Sequence, residues 1–184
     1  MKRDVLPALL QRVEDLPPAL SLAQIENLPA PMQLRAEFAL TPSQTQTVLA
    51  QREVVRQILT RRDPRLLVVV GPCSIHDVQA AAEYAQRLAQ LAKEVADTLF
   101  VVMRVYVEKP RTSLGWKGLL NDPHLDGSCQ LAQGLTLSRQ VLRQVVQTGL
   151  PVAVEALDPL APHYLADLVT WCAIGARTTE SQTH

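Results

Sequence analysis

From Leu66 onward the chain alternates two kinds of hydrophobic pattern. "LLVVV" (66–70) is continuously apolar and β-branched and ends at Gly71-Pro72, as expected of a strand buried on both faces. Residues 77–97 then place Ala81, Ala85, Leu88, Ala92 and Val95 at helical spacing behind Asp77, a capping residue. "TLFVVMRVYV" (98–107) predicts a second strand. Residues 129–148 repeat the helical period through Leu131, Leu135, Leu142 and Val145, and Gly149 stops them. "LPVAVEAL" (150–157) predicts a third strand, Asp158-Pro159 opens a helix to about Thr170, and "WCAIGA" (171–176) predicts a fourth strand. Such repeated strand–helix units predict an α/β protein with a parallel sheet.

The chain before Leu66 reads differently. Six of the thirteen prolines fall within the first 42 residues, which predicts an arm with short helical pieces. A cleaner helix starts at "TPSQ": Thr41 caps, Pro42 suits the first helical position, and Gln44 completes a capping box. Val48, Val55, Ile58 and Leu59 line one face up to the break at "RRDPR".

Composition narrows the function classes. The 184 residues are 47% hydrophobic, enough for one domain with a sizeable core. Eighteen acids balance eighteen bases, which argues against a general nucleic-acid or anionic-membrane surface, so a basic cluster has to act locally. Asp4, Arg12 and Glu14 interrupt the start, so no secretory signal is expected. No run approaches the roughly 18 apolar residues of a membrane span. Three cysteines without a CxxC pair fit a reduced, cytoplasmic setting.

One stretch is locally basic. "RVYVEKPRTSLGWKG" (104–118) sets Arg104, Lys109, Arg111 and Lys117 against a single acid, Glu108. These residues, with Gly71-Pro72-Cys73, Glu155 and Arg177, fall at or just past the C-terminal ends of the predicted strands. That edge is the catalytic one in parallel barrels and in open α/β sheets, and the pattern alone leaves both architectures open. Arginine offers a planar fork for phosphate or carboxylate and lysine a compact charge, so a small anionic metabolite is the expected ligand. The alternative is a solvated loop whose cations pair with Glu108 and Asp122. A single loop and 4% aromatic residues argue against nucleic acid. Arg177 follows the fourth strand and adds a second strand-end arginine, with Thr178, Thr179 and Ser181 as hydroxyl donors. Cys73 reads either as a small buried hydrophobe or as a thiolate, nucleophile or metal ligand, assisted by His76. Cys129 and Cys172 read as structural.

Three stretches, "GPCSIHD", "RVYVEKPRTSLGWKGLLNDPHLDGS" and "GARTTESQTH", resemble in order and spacing the first half of the microbial class I 3-deoxy-D-arabino-heptulosonate-7-phosphate (DAHP) synthases. The resemblance is close over residues 50–184. It implies a (β/α)8 barrel, of which this chain supplies about four βα units (65–184) behind a regulatory or oligomerising arm (1–64). The implied reaction joins phosphoenolpyruvate to erythrose 4-phosphate and releases phosphate, the first step of the shikimate pathway to aromatic amino acids. By matching motifs, Arg104, Lys109 and Arg177 would hold phosphoenolpyruvate, with the Ala176 backbone and Glu155 nearby, and Arg104 and Lys109 would count as catalytic. Arg111 and Thr112 would hold the second phosphate. Cys73 would ligate a divalent metal ion (Mn, Fe, Co or Zn). A homo-oligomer and an aromatic amino acid effector are also implied, and "EALDP" (155–159) favours tyrosine.

A complete barrel takes about 250 residues and eight strands, whereas four are predicted here. The resemblance places the remaining metal ligands and two further cations beyond residue 184. Two functions follow as expectations. One is a DAHP synthase whose N-terminal part, inactive alone, is this chain. The other is a non-catalytic remnant that binds phosphate-type anions or associates with a full-length subunit.

Overall fold

The computed structural model describes residues 27–110 and 115–175. Helices α1 (Pro31–Glu37) and α2 (Pro42–Leu59) precede strand β1 (Leu66–Val70). Then come α3 (Val78–Glu94), β2 (Leu99–Arg104), α4 (Leu131–Gln147), β3 (Val152–Ala156), α5 (Ala161–Leu165) with a 3-10 turn (Ala166–Leu168), and β4 (Trp171–Ile174). The strands pair in the order β1-β2-β3-β4, every pair parallel. Register sets Val70 beside Met103, Arg104 beside Ala153, and Glu155 beside Ala173, so all four C-terminal ends share one edge. The parallel arrangement predicted from the alternating pattern is the arrangement found.

Local chemistry explains the helix starts. Thr41 Oγ1 accepts from Gln44 N at 3.2 Å while Thr41 N donates to Gln44 Oε1 at 2.9 Å, the predicted capping box. Asp77 Oδ1 caps α3 by accepting from Gln79 N and Ala80 N. Ala81, Ala85 and Leu88 of α3 and Leu135, Leu142 and Val145 of α4 are buried on the helix layer. The core runs through Val101, Met103, Val105, Val152 and Leu168. Helix α2 is tied to the segments entering β3 and β4: Gln51 Nε2 donates to Gly149 O at 2.9 Å, and Arg52 donates to the Val169 and Ala166 carbonyls.

Four sequence expectations need correction. β1 is not buried on both faces: Leu66 is 65% exposed and Val69 37%, and the strand lies at an edge of the sheet with β2 on one side. The second strand stops at Arg104 rather than 107. Beyond it the backbone serves loops instead, Tyr106 O accepting from Ile75 N and Val107 O from Leu120 N. The single helix expected to Thr170 is a five-residue turn followed by a 3-10 turn, since Arg139 takes the Tyr164 carbonyl and Arg52 that of Ala166. Finally, Cys73, Cys129 and Cys172 are all free and exposed, so none is a buried hydrophobe.

Candidate anion site at the strand ends

Arg104 is the last residue of β2, and its guanidinium folds back across the sheet edge. Nε and Nη2 donate to Gly71 O at 3.0 and 2.6 Å, and the group lies 5.5 Å from the Tyr106 ring centroid. Charge-assisted bonds and ring stacking therefore fix its plane, while Nη1 has no hydrogen-bond partner among the described residues. Lys109 follows five residues later, its Nζ 3.3 Å from Cys73 Sγ at the end of β1. Two chain segments, the stretch leaving β2 and the one leaving β1, thus bring Arg104, Lys109 and Cys73 to one place. Glu155 joins them from β3.

The loop after Lys109 is pinned to this edge. Lys109 N donates to Lys117 O at 3.0 Å, and Trp116 Nε1 donates to Asp122 O at 2.7 Å. Gly118 closes the loop with φ +102, and a Cβ there would sit 2.5 Å from Val107 O. Only glycine fits that approach. The solvated-loop alternative loses support: among the described residues neither Glu108 nor Asp122 forms an ion pair with Arg104, Lys109 or Lys117. Arg111, Thr112, Ala176 and Arg177 lie outside the described residues.

Tyr106 was not singled out from the sequence, and Glu108 was read there only as the loop's single acid. Burial raises the Tyr106 phenol, Glu155 adds to the rise, and Arg104 opposes it, so the ring sits within electrostatic reach of both. Glu108 is 5% exposed, and its carboxyl is pushed up to about 7 by burial, then by the charges of Asp158 and Glu155. A period-two signal was available. Arg104, Tyr106 and Glu108 alternate with Val105 and Val107, which are 0% and 3% exposed.

The described residues do not build a metal site. Cys73 Sγ faces an ammonium rather than further ligands, and among the described residues no group of three or more His, Cys, Asp or Glu side chains converges. Structural and catalytic zinc sites use three or four protein ligands. No described helix is long and apolar enough to cross a membrane. A cleft of about 240 Å³ lined by Gln51, Arg65, Phe100 and Leu150 opens at the other end of the strands, away from Arg104 and Lys109.

Comparison with known proteins settles the lineage. The profile of the DAHP synthetase I family matches residues 37–184. The chain belongs to that family. The Tyr-sensitive phospho-2-dehydro-3-deoxyheptonate aldolase of Salmonella typhimurium is 58% identical to this family member over 157 residues, covering 85% of the chain and 44% of the relative. The Phe-sensitive aldolase of Escherichia coli is 53% identical over 165 residues, covering 90% of the chain and 47% of the relative. The aldolase structure from Francisella tularensis superposes with a TM-score of 0.83 at 44% identity, covering 89% of this chain and 48% of that one. This DAHP synthetase I chain therefore spans about half the length of the relatives it matches, and its four strands correspond to the first half of a (β/α)8 barrel.

Proposed function

We propose that this chain supplies the anion-binding edge of a DAHP synthase, a cytoplasmic transferase that joins phosphoenolpyruvate to erythrose 4-phosphate. The observation that carries the proposal is the convergence of Arg104 and Lys109, from separate positions on one sheet edge, in a member of this family. Both substrates carry phosphate, and phosphoenolpyruvate a carboxylate as well. Fixed cations offset their mutual repulsion and hold C3 of phosphoenolpyruvate against the aldehyde carbon. The carbon–carbon bond forms there, water adds at C2, and phosphate leaves. In this reading Arg104 and Lys109 hold phosphoenolpyruvate with Arg177 and the Ala176 backbone, Glu155 lies beside it, and Arg111 and Thr112 receive the second phosphate. Regulation by an aromatic amino acid fits the sensitivities named for the relatives, and tyrosine is favoured because the Tyr-sensitive relative is 58% identical against 53% for the Phe-sensitive one. A homo-oligomer built through the N-terminal arm completes the proposal.

The test is an assay of phosphate release from both substrates with excess Mn²⁺, using the chain alone and mixed with the separately expressed second half of a relative. Turnover is expected in the mixture. In that mixture Arg104→Ala should lower kcat/KM more than about tenfold, since a charge-assisted contact is worth about 1.5–3 kcal/mol. Lys93→Ala, on the exposed side of α3, should leave it unchanged. Equal losses from the two substitutions would remove Arg104 from the site, and a mixture without turnover would count against the proposed activity.

A further inference from the structure

We propose that Glu108 is a positioning residue and charge switch for the anion-binding edge: its buried carboxyl group sits where the ends of β2 and β3 meet, and its proton sets how firmly that edge holds an anion. The inference deepens the anion-site reading above and rests on it.

The placement comes first. Val105 and Val107 turn into the core, which puts Arg104, Tyr106 and Glu108 on the opposite side of the extended segment. Gly118 presses on the backbone there, since a Cβ at that glycine would lie 2.7 Å from Glu108 Cα. The carboxyl group then faces a mostly acidic neighbourhood. Glu155 belongs to β3, Asp158 to the turn after it, and the Leu157 backbone N–H between them is a donor favouring the charged form. On β4, Cys172 lies within reach, because the charge of Glu108 disfavours loss of the thiol proton. On its own segment Lys109 is next in the chain, but the ammonium is directed to Cys73 Sγ. Among the described residues no cation forms an ion pair with Glu108.

A carboxyl group so placed has two states with different consequences. With its proton it is neutral and adds no charge beside Glu155 and Asp158. Without it a third negative charge stands in the same poorly solvated corner, repelling an incoming anion and drawing on the Leu157 N–H, which precedes Asp158 and follows Glu155 by two positions. The sign is fixed by the direction of the proton's release. Anion affinity is full below about pH 7 and falls as pH rises through that value. An anion bound at the edge should in turn favour the protonated form, because coupling between two sites is reciprocal.

The experiment uses inorganic sulfate, which stays a dianion across the window, and the 184-residue chain labelled with ¹³C at glutamate carboxyl carbons. The resonance missing from Glu108→Gln identifies Glu108, and its midpoint should fall near 7. A midpoint near the ordinary value of 4.5 overturns the proposal. Sulfate affinity measured by calorimetry should fall at least about threefold between pH 6 and pH 8 in the parent chain, the scale of one added charge several ångströms away. Glu108→Gln should hold most of its pH 6 affinity at pH 8. Equal falls in both proteins overturn the switch and leave the anion site standing. Absence of sulfate binding at either pH overturns the anion site and the switch with it. Should the glutamine variant not fold, coincidence of the parent's affinity midpoint with its Glu108 carboxyl midpoint decides the matter.

Discussion

Replacing Arg139 by methionine should lower the stability of the chain by about 1–3 kcal/mol, the range for leaving buried acceptors unsatisfied, since Asp167 is 35% exposed and keeps Arg35 at 3.6 Å. Arg139 is 0% exposed in the middle of α4. Its Nη1 and Nη2 reach Asp167 Oδ1 and Oδ2 at 2.8 Å each, a fork that matches a carboxylate. The same two nitrogens serve the carbonyls of Tyr164 at 2.7 Å, Phe38 at 3.2 Å and Arg35 at 3.4 Å. Methionine fills much of the volume and satisfies none of these acceptors. Burial alone pushes the Asp167 carboxyl up, but the hydrogen bonds and charge of Arg139 outweigh it and hold the group below the usual aspartate value. That contribution is present above the unfolded value and is lost as pH falls through the lowered one. Urea melts at pH 7 and at pH 3 should therefore differ less in Arg139→Met than in the parent chain. A loss under about 1 kcal/mol at pH 7 would mean that the carbonyls find water instead.

Gly134→Ala should cost roughly 3 kcal/mol or more, at the upper end of the overpacking range. At an ordinary exposed helix position the same change is favourable by up to about 1 kcal/mol. Gly134 lies in the first turn of α4, and a Cβ there would stand 1.9 Å from Leu120 O and 2.6 Å from Leu120 C. Both are backbone atoms, so no side-chain rotation relieves the clash. The helix and the 119–120 segment have to separate, and that segment holds Val107 through Leu120 N. Lys109 should lose its placement along with it. Thermal melts of Gly134→Ala beside Ala132→Gly check the sign: a stabilised Gly134→Ala would show that the close approach is absent in solution.

These two positions also mark where sequence reasoning stopped. The parallel sheet was legible because LLVVV, the 98–107 run and the 150–157 run are short apolar stretches separated by helical stripes, a local signal. The capping box at Thr41 and Gln44 was legible for the same reason. Arg139 was not, since an arginine in a helix defaults to solvent, and its partners Asp167 and Phe38 lie 28 and 101 positions away. Gly134 did leave a trace, an isolated glycine inside a helical pattern, whose usual reason is close backbone approach. At the site, strand ends placed Arg104, Lys109 and Glu155 correctly on one edge. The burial of Glu108 goes with the close approach of Gly118, made by chain reversal and invisible to any period. The expected burial of β1 failed on a different ground, because an apolar run states what a strand prefers rather than what covers it.

The sheet is laid down in the order in which its strands are written, β1 to β4, each hydrogen-bonded to the strand made just before it. A chain leaving the ribosome can therefore pair β2 with β1 as soon as Arg104 has emerged, then add β3 and β4 without waiting for a distant partner. Loop closure between such near neighbours is entropically mild. Growth of this kind leaves the newest strand as the exposed edge at every stage, and it leaves β1 exposed throughout. Leu66, Val69 and Ile174, the exposed apolar residues of the two outer strands, are thus the surface that a chaperone or another nascent chain meets first.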